Sequence, residues 1–157
     1  MNKTFVKPRY DSGGFAGTPN RIKEAFASKK YDAVVMFFID AFGWRFYERF
    51  QDDPFIKRIE KHGKIEKLTS QFPSTTAAHV TTMHTGLPVG QSGVFEWQYY
   101  EPLVDRIVTP LLFSYAGTRE RESLGSAKIN PEKLYPTGVL YPELKQMGVE
   151  SFNFGLR

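Results

Sequence analysis

The chain has 157 residues, enough for one domain or part of one, and its 41% apolar and 15% aromatic content can build a core and excludes wholesale disorder. The net charge of +4 (21 basic against 17 acidic residues) includes no long basic run; the mild excess fits an anionic substrate as well as it fits nucleic acid, and mostly describes a solvated surface. The absence of cysteine excludes disulfides, thiolate metal ligands and a cysteine nucleophile, and suits a reducing compartment. Residues 1–8 lack the apolar core of a secretory signal, and no stretch reaches the about 18 apolar residues needed to span a bilayer. These features predict a soluble, cytoplasmic protein with no membrane or nucleic-acid partner.

Residues 8–19 are rich in Gly and Pro and read as irregular. A helix is predicted from Thr18-Pro19-Asn20, with proline suited to the first turn, Ile22, Ala25 and Phe26 on one face, and Lys29-Lys30 favouring its C-terminal end. Tyr31 to Ile39 is almost continuously apolar and β-favouring, the pattern of a strand buried on both faces of a parallel sheet. Ala41-Phe42-Gly43 turns the chain. Helices are expected over 44–50 and 54–62, the second stopped by Gly63, and a second strand over Lys64–Thr69.

A turn at Pro73-Ser74-Thr75 leads into a helix over about 76–85, closed by Gly86. Val94–Tyr100 is aromatic and reads as extended, Asp105–Phe113 as a strand, and 116–134 as a polar loop. Pro142–Met147 forms a short helix before Gly148, and Ser151–Phe154 begins another buried strand. Strands alternating with helices predict an α/β sandwich. The chain stops just after that last strand begins, so it is expected to be part of a longer domain.

Two features carry chemistry. Asp40 ends the first apolar run, at the carboxyl end of a strand, where α/β sheets bind their ligands. A carboxylate placed there is either paired or metal-bound, or it caps the following turn. The hydroxyl cluster Ser74-Thr75-Thr76 heads a helix, whose dipole and unpaired N–H groups can hold a phosphate; alone, such a cluster serves as an N-cap. A hydroxyl needs a base or a metal to become a nucleophile, so Asp40 and the cluster say more together than apart.

Taken together, Ile39-Asp40-Ala41-Phe42-Gly43, Phe72-Pro73-Ser74-Thr75-Thr76, Thr85-Gly86-Leu87-Pro88 and Gly93-Val94 resemble the alkaline phosphatase superfamily, and within it the type I phosphodiesterases and nucleotide pyrophosphatases. The resemblance covers about residues 31–100. It implies a three-layer α/β/α sandwich with a mostly parallel sheet, of which residues 1–157 form the N-terminal part of a single catalytic domain. It implies two divalent metal ions of zinc type, with Asp40 as a ligand of one, and Thr76 as both nucleophile and ligand; Thr75 is the competing register. The implied activity is hydrolysis of phosphodiester or pyrophosphate bonds in nucleotide-type substrates through a phospho-threonine intermediate. The Cys/Ser-x-Pro-x-Arg context of sulfatases is absent, and threonine points away from phosphomutases.

Two departures qualify that picture. The phosphoryl-contacting asparagine of the diesterases is replaced by Trp97, leaving Trp97 and Gln98 as candidate substrate donors. The later Asp and His ligands are also lacking: the histidines are His62, His79 and His84, and no Asp follows Asp105. Zinc wants about four ligands, so the chain is expected to need a missing C-terminal half or a complementing chain, and to be inactive alone. Alternatives are a phosphate-ligand-binding or partner-subunit module without turnover, and a phosphomonoesterase. His79 and His84 are five apart and off one helix face. The aromatic run Phe95, Trp97, Tyr99 and Tyr100 describes a base-stacking surface or a packed strand face. Gly13-Gly14-x-x-Gly17 is too degenerate to define a nucleotide loop.

Overall fold

A computed structural model describes residues 5–28, 31–138 and 140–154. Seven α-helices occur among them: α1 (Thr18–Ala27), α2 (Trp44–Phe50), α3 (Pro54–His62), α4 (Thr76–Thr85), α5 (Val89–Ser92), α6 (Ser123–Ser126) and α7 (Leu140–Gln146). Strands β1 (Tyr99–Glu101), β2 (Arg106–Thr109) and β3 (Ser114–Tyr115) form an antiparallel sheet in the order β1-β2-β3. Tyr99 faces Val108, and Val108 faces Tyr115 in turn. No helix among the described residues is long and apolar enough to cross a membrane.

The helices begin and end where local chemistry dictates. Pro19 sits in the first turn of α1, while Lys29 and Lys30 lie outside the described residues. Asp53 caps α3 by accepting from the Phe55 N–H, and α4 ends at Gly86, whose φ of 74° puts it in the left-handed region that glycine enters without strain. Gly14 has a different reason: a Cβ there would collide with the carbonyl of Arg9. That close approach lets Gly14 form a parallel bridge with Thr69, so the glycines at 13–17 have a packing role.

The core surrounds α4. Ala77, Ala78, Thr81, Thr82, Met83 and Thr85 are buried, wrapping most of the helix circumference, and α1, α5 and α7 pack against it. The side chain of Gln71 lies at the centre of this packing. Its amide donates to Thr82 Oγ1 (2.9 Å) and its carbonyl oxygen accepts from the Val89 N–H (2.8 Å). Thr82 Oγ1 donates onward to the Leu87 carbonyl (2.7 Å). A buried, fully partnered network of this kind holds a helix in one register.

Three expectations are corrected. Residues 33–39 carry no ladder pairing, and their side chains are exposed (Val35 76%, Phe37 80%, Ile39 66%). Residues 64–68 and 151–154 are likewise unpaired. A strand exists only with a partner, and the described residues supply none for these segments, so the parallel sheet is not formed among them; the sheet present is antiparallel. The strand expected over 105–113 stops at Thr109, because Pro110 has no N–H for the ladder and starts a 3₁₀ turn. Residues 116–134 are less open than expected: Leu124 of α6 is fully buried, and the Ser123 hydroxyl accepts from the Tyr115 N–H (3.0 Å).

Replacing Gln71 by methionine keeps volume but strands the Val89 N–H; denaturant unfolding is expected to show a loss of about 2 kcal/mol. His84, in the last turn of α4, meets the Tyr141 hydroxyl of α7 at 2.6 Å, and burial holds its pKa below the ordinary 6.5. The unfolded chain therefore binds the proton more readily. This contribution to stability is complete above pH 6.5 and declines as pH falls below it. Thermal midpoints measured against pH should show that decline, and His84→Gln should flatten it.

Candidate functional site

The head of α4 is defined by a division of labour between adjacent threonines. Thr75 is the N-cap: its Oγ1 accepts from the Ala78 N–H (3.3 Å) and donates to the Phe95 carbonyl (2.8 Å). Its own carbonyl accepts from the His79 ring at Nδ1 (2.8 Å) and from the His79 backbone N–H (3.1 Å). With every polar atom of Thr75 beyond its N–H engaged in holding the helix, the next residue is left free. Thr76 is the first helical residue, is exposed, and its Oγ1 donates to Asp40 Oδ2 at 3.3 Å.

Asp40 reaches this position by aromatic packing as well as by chain turn. Phe38, two residues before it, meets Phe15 at a ring-centroid distance of 5.5 Å, and Phe15 meets His79 of α4 at 4.6 Å. The run ending in Asp40 is thereby moored to the first turns of α4. The Asp40 carboxylate is held at its other oxygen, Oδ1, which accepts from the Ala41 N–H at 2.9 Å. Asp40 and Thr76 are open to solvent, and no acceptor for the N–H of Thr76 occurs among the described residues.

Other residues singled out from the sequence fall into two groups. His79 is structural: its Nδ1 faces the Thr75 carbonyl, and its Nε2 accepts from the Gln71 N–H at 3.2 Å, so both ring nitrogens are engaged. His84 lies at the opposite end of α4. Trp97 is exposed on a bend before β1 with its backbone N–H on Glu96 Oε1 (2.6 Å), while the Gln98 amide donates weakly to Thr109 Oγ1 (3.4 Å). The recorded link from this segment to the head of α4 is the Phe95 carbonyl. Sequence reasoning singled out the Phe95 ring but missed its carbonyl, because a backbone acceptor leaves no trace in residue type.

Asp40 and Thr76 offer a carboxylate and a hydroxyl to one cation, and the donor chemistry fits a hard or borderline divalent ion. Among the described residues no group of three or more His, Cys, Asp or Glu could hold a metal. The pair fits part of one ion's ligand set and not the whole of it.

Residues 34–111 match the family model of type I phosphodiesterase / nucleotide pyrophosphatase. No curated protein and no solved structure matches the chain. The matched segment contains Asp40, the whole of α4, and the Phe95 tether. Residues 34–111 are thus similar to the type I phosphodiesterase / nucleotide pyrophosphatase family, which indicates, at the family level, a phosphodiesterase or pyrophosphatase-type hydrolase.

Proposed function

We propose that the chain is the nucleophile-bearing part of a metal-dependent hydrolase that cleaves phosphodiester or pyrophosphate bonds in nucleotide-type substrates, with Thr76 as nucleophile. The observation that carries this reading is the 3.3 Å contact between Thr76 Oγ1 and Asp40 Oδ2 at the head of a buried helix. Thr75 is the weaker register because its hydroxyl is already committed to the cap and to Phe95.

In this mechanism Asp40 Oδ2 orients the hydroxyl of Thr76 toward phosphorus. The hydroxyl passes its proton to Asp40 Oδ2 as its oxygen bonds to phosphorus and the bond to the leaving oxygen breaks, the leaving oxygen taking a proton from solvent; this gives phospho-threonine, which water then hydrolyses. The N–H of Thr76, with the helix dipole behind it, faces the phosphoryl oxygens. The indole N–H of Trp97 and the amide of Gln98 are the proposed further donors. Divalent ions of zinc type, held by Asp40 and Thr76 with ligands from outside the described residues, would supply Lewis acidity that lowers the hydroxyl's pKa.

Those additional ligands are assigned to a C-terminal half of the domain or to a complementing chain. The same source would provide strands for the open edges of residues 33–39, making them central in a three-layer α/β/α sandwich with a mostly parallel sheet. Residues 1–157 are then the N-terminal part of one catalytic domain, inactive alone, in a reducing cytoplasmic setting that suits the lack of cysteine. A second reading is favoured by the lack of a three-ligand cluster among the described residues: a module that binds a phosphate ligand or a partner subunit without turnover. Phosphomonoester hydrolysis is the third.

The test uses the longest reading frame containing this chain, loaded with zinc and assayed on bis(p-nitrophenyl) phosphate and on p-nitrophenyl phosphate. Thr76→Ala is expected to lower kcat on the order of 10³-fold or more. Thr75→Ala should instead cost about 1 kcal/mol of stability and leave most of the turnover. Equal hydrolysis by wild type and Thr76→Ala removes Thr76 from the role. Faster turnover of the monoester favours the phosphomonoesterase reading, and zinc-loaded protein that binds phosphate without turnover favours the binding module.

A further inference from the structure

The run ending in Asp40 is tied to α4 at two points. Thr76 and His79 stand at i and i+3, so they share a face of the helix. Thr76 Oγ1 meets Asp40 Oδ2 at 3.3 Å, and the His79 ring reaches Phe38 through the ring of Phe15, at centroid distances of 4.6 and 5.5 Å. Phe38 and Asp40 are two residues apart, so run and helix close a circuit in which the Phe15 ring is the spacer. The two ties are unequal. A single hydrogen bond between exposed groups exchanges readily with water and cannot alone hold residues 33–39, which carry no ladder pairing. The aromatic tie is the firmer one, because both ends of the spacer are fixed. The Phe15 N–H donates to the Thr69 carbonyl at 2.8 Å, next to the bridge between Gly14 and Thr69. The His79 ring is held by the Thr75 carbonyl and the Gln71 N–H.

We infer that Phe15 is a positioning residue for the reaction: its ring, standing between Phe38 and His79, sets the separation of the Asp40 carboxylate from Thr76. The inference rests on the reading of Asp40 and Thr76 given above. Phe15 precedes the matched segment, residues 34–111, and touches neither reacting group directly. Without the ring, Phe38 sinks toward His79 or lifts into solvent, and Asp40 moves with it. A proton passing from Thr76 to Asp40 and a cation shared by the two both depend on that separation. Residues 8–19, irregular in sequence and remote from the chemistry in chain order, thereby contribute a wall against which the acidic run is set.

The test uses the longest reading frame containing this chain at saturating zinc, with Phe15→Ala, Phe15→Leu and, as a control that empties a buried site in α6, Leu124→Ala. Phe15→Ala is expected to lower kcat on the order of tenfold with KM unchanged, and to weaken zinc binding, read by competition with a chromogenic chelator, by about the same factor. Phe15→Leu refills most of the space and should bring both values within about threefold of wild type. Leu124→Ala should lose stability and keep both within about twofold. Because the effect acts through the carboxylate, Phe15→Ala should leave the zinc affinity of Asp40→Asn unchanged. Wild-type kcat and zinc affinity in folded Phe15→Ala, an equal loss in Leu124→Ala, or an undiminished effect on the Asp40→Asn background overturns the inference. If Phe15→Ala does not fold, Phe15→Val carries the same comparison. Thr76→Ala assayed alongside separates the two levels: full activity there defeats the underlying reading, whereas loss there with wild-type behaviour in Phe15→Ala defeats only the role of Phe15.

Discussion

The arrangement of the site depends on α4 being buried around most of its circumference. A helix whose sides are covered by Gln71, α1, α5 and α7 cannot rotate or slide to bring different residues to its head. Its first turn then has one set of orphan N–H groups and needs one cap. Thr75 supplies it, and its hydroxyl also binds the Phe95 carbonyl. The consequence for chemistry is indirect: because the cap is Thr75, Thr76 stands at the first helical position with its hydroxyl outward. Shifting the cap by one residue would exchange the two roles.

The region that delivers Asp40 is built differently. Around α4 the apolar side chains are covered, but from Val34 to Ile59 large apolar groups remain open, and α2 buries none of its residues. Within the described residues, the run ending at Asp40 is moored mainly through Phe38, Phe15 and His79. Those three rings are enough to place the carboxylate near Thr76. They leave the backbone of residues 33–39 without ladder partners.

The sequence was most legible where structure is local. Pro19 in a first turn, Asp53 as a cap, Gly86 after α4 and the exact bounds Trp44–Phe50 follow from short-range sterics and hydrogen bonding. It was least legible in the strands, because pairing is a property of two segments. Residues 33–39 have the composition of a buried strand and no partner among the described residues; Asp105–Phe113 reads as one strand until Pro110 is seen to end its ladder. The buried Leu124 inside a polar stretch shows the same limit, since a single anchoring residue has no periodicity to detect.

For the candidate site the division is similar. Residue types and spacing marked Asp40 and the Ser74-Thr75-Thr76 cluster as candidates, because an acidic residue ending an apolar run and hydroxyls opening a helix are local patterns, and the family resemblance narrowed the cluster to Thr76 with Thr75 as the competing register. Tertiary structure decided which threonine is free, which carboxylate oxygen faces it, and that both nitrogens of His79 are occupied. Those outcomes depend on the Phe95 carbonyl, the Ala41 N–H and the Gln71 N–H, backbone groups carried by nearly every residue. Their positions come only from how distant segments pack around α4.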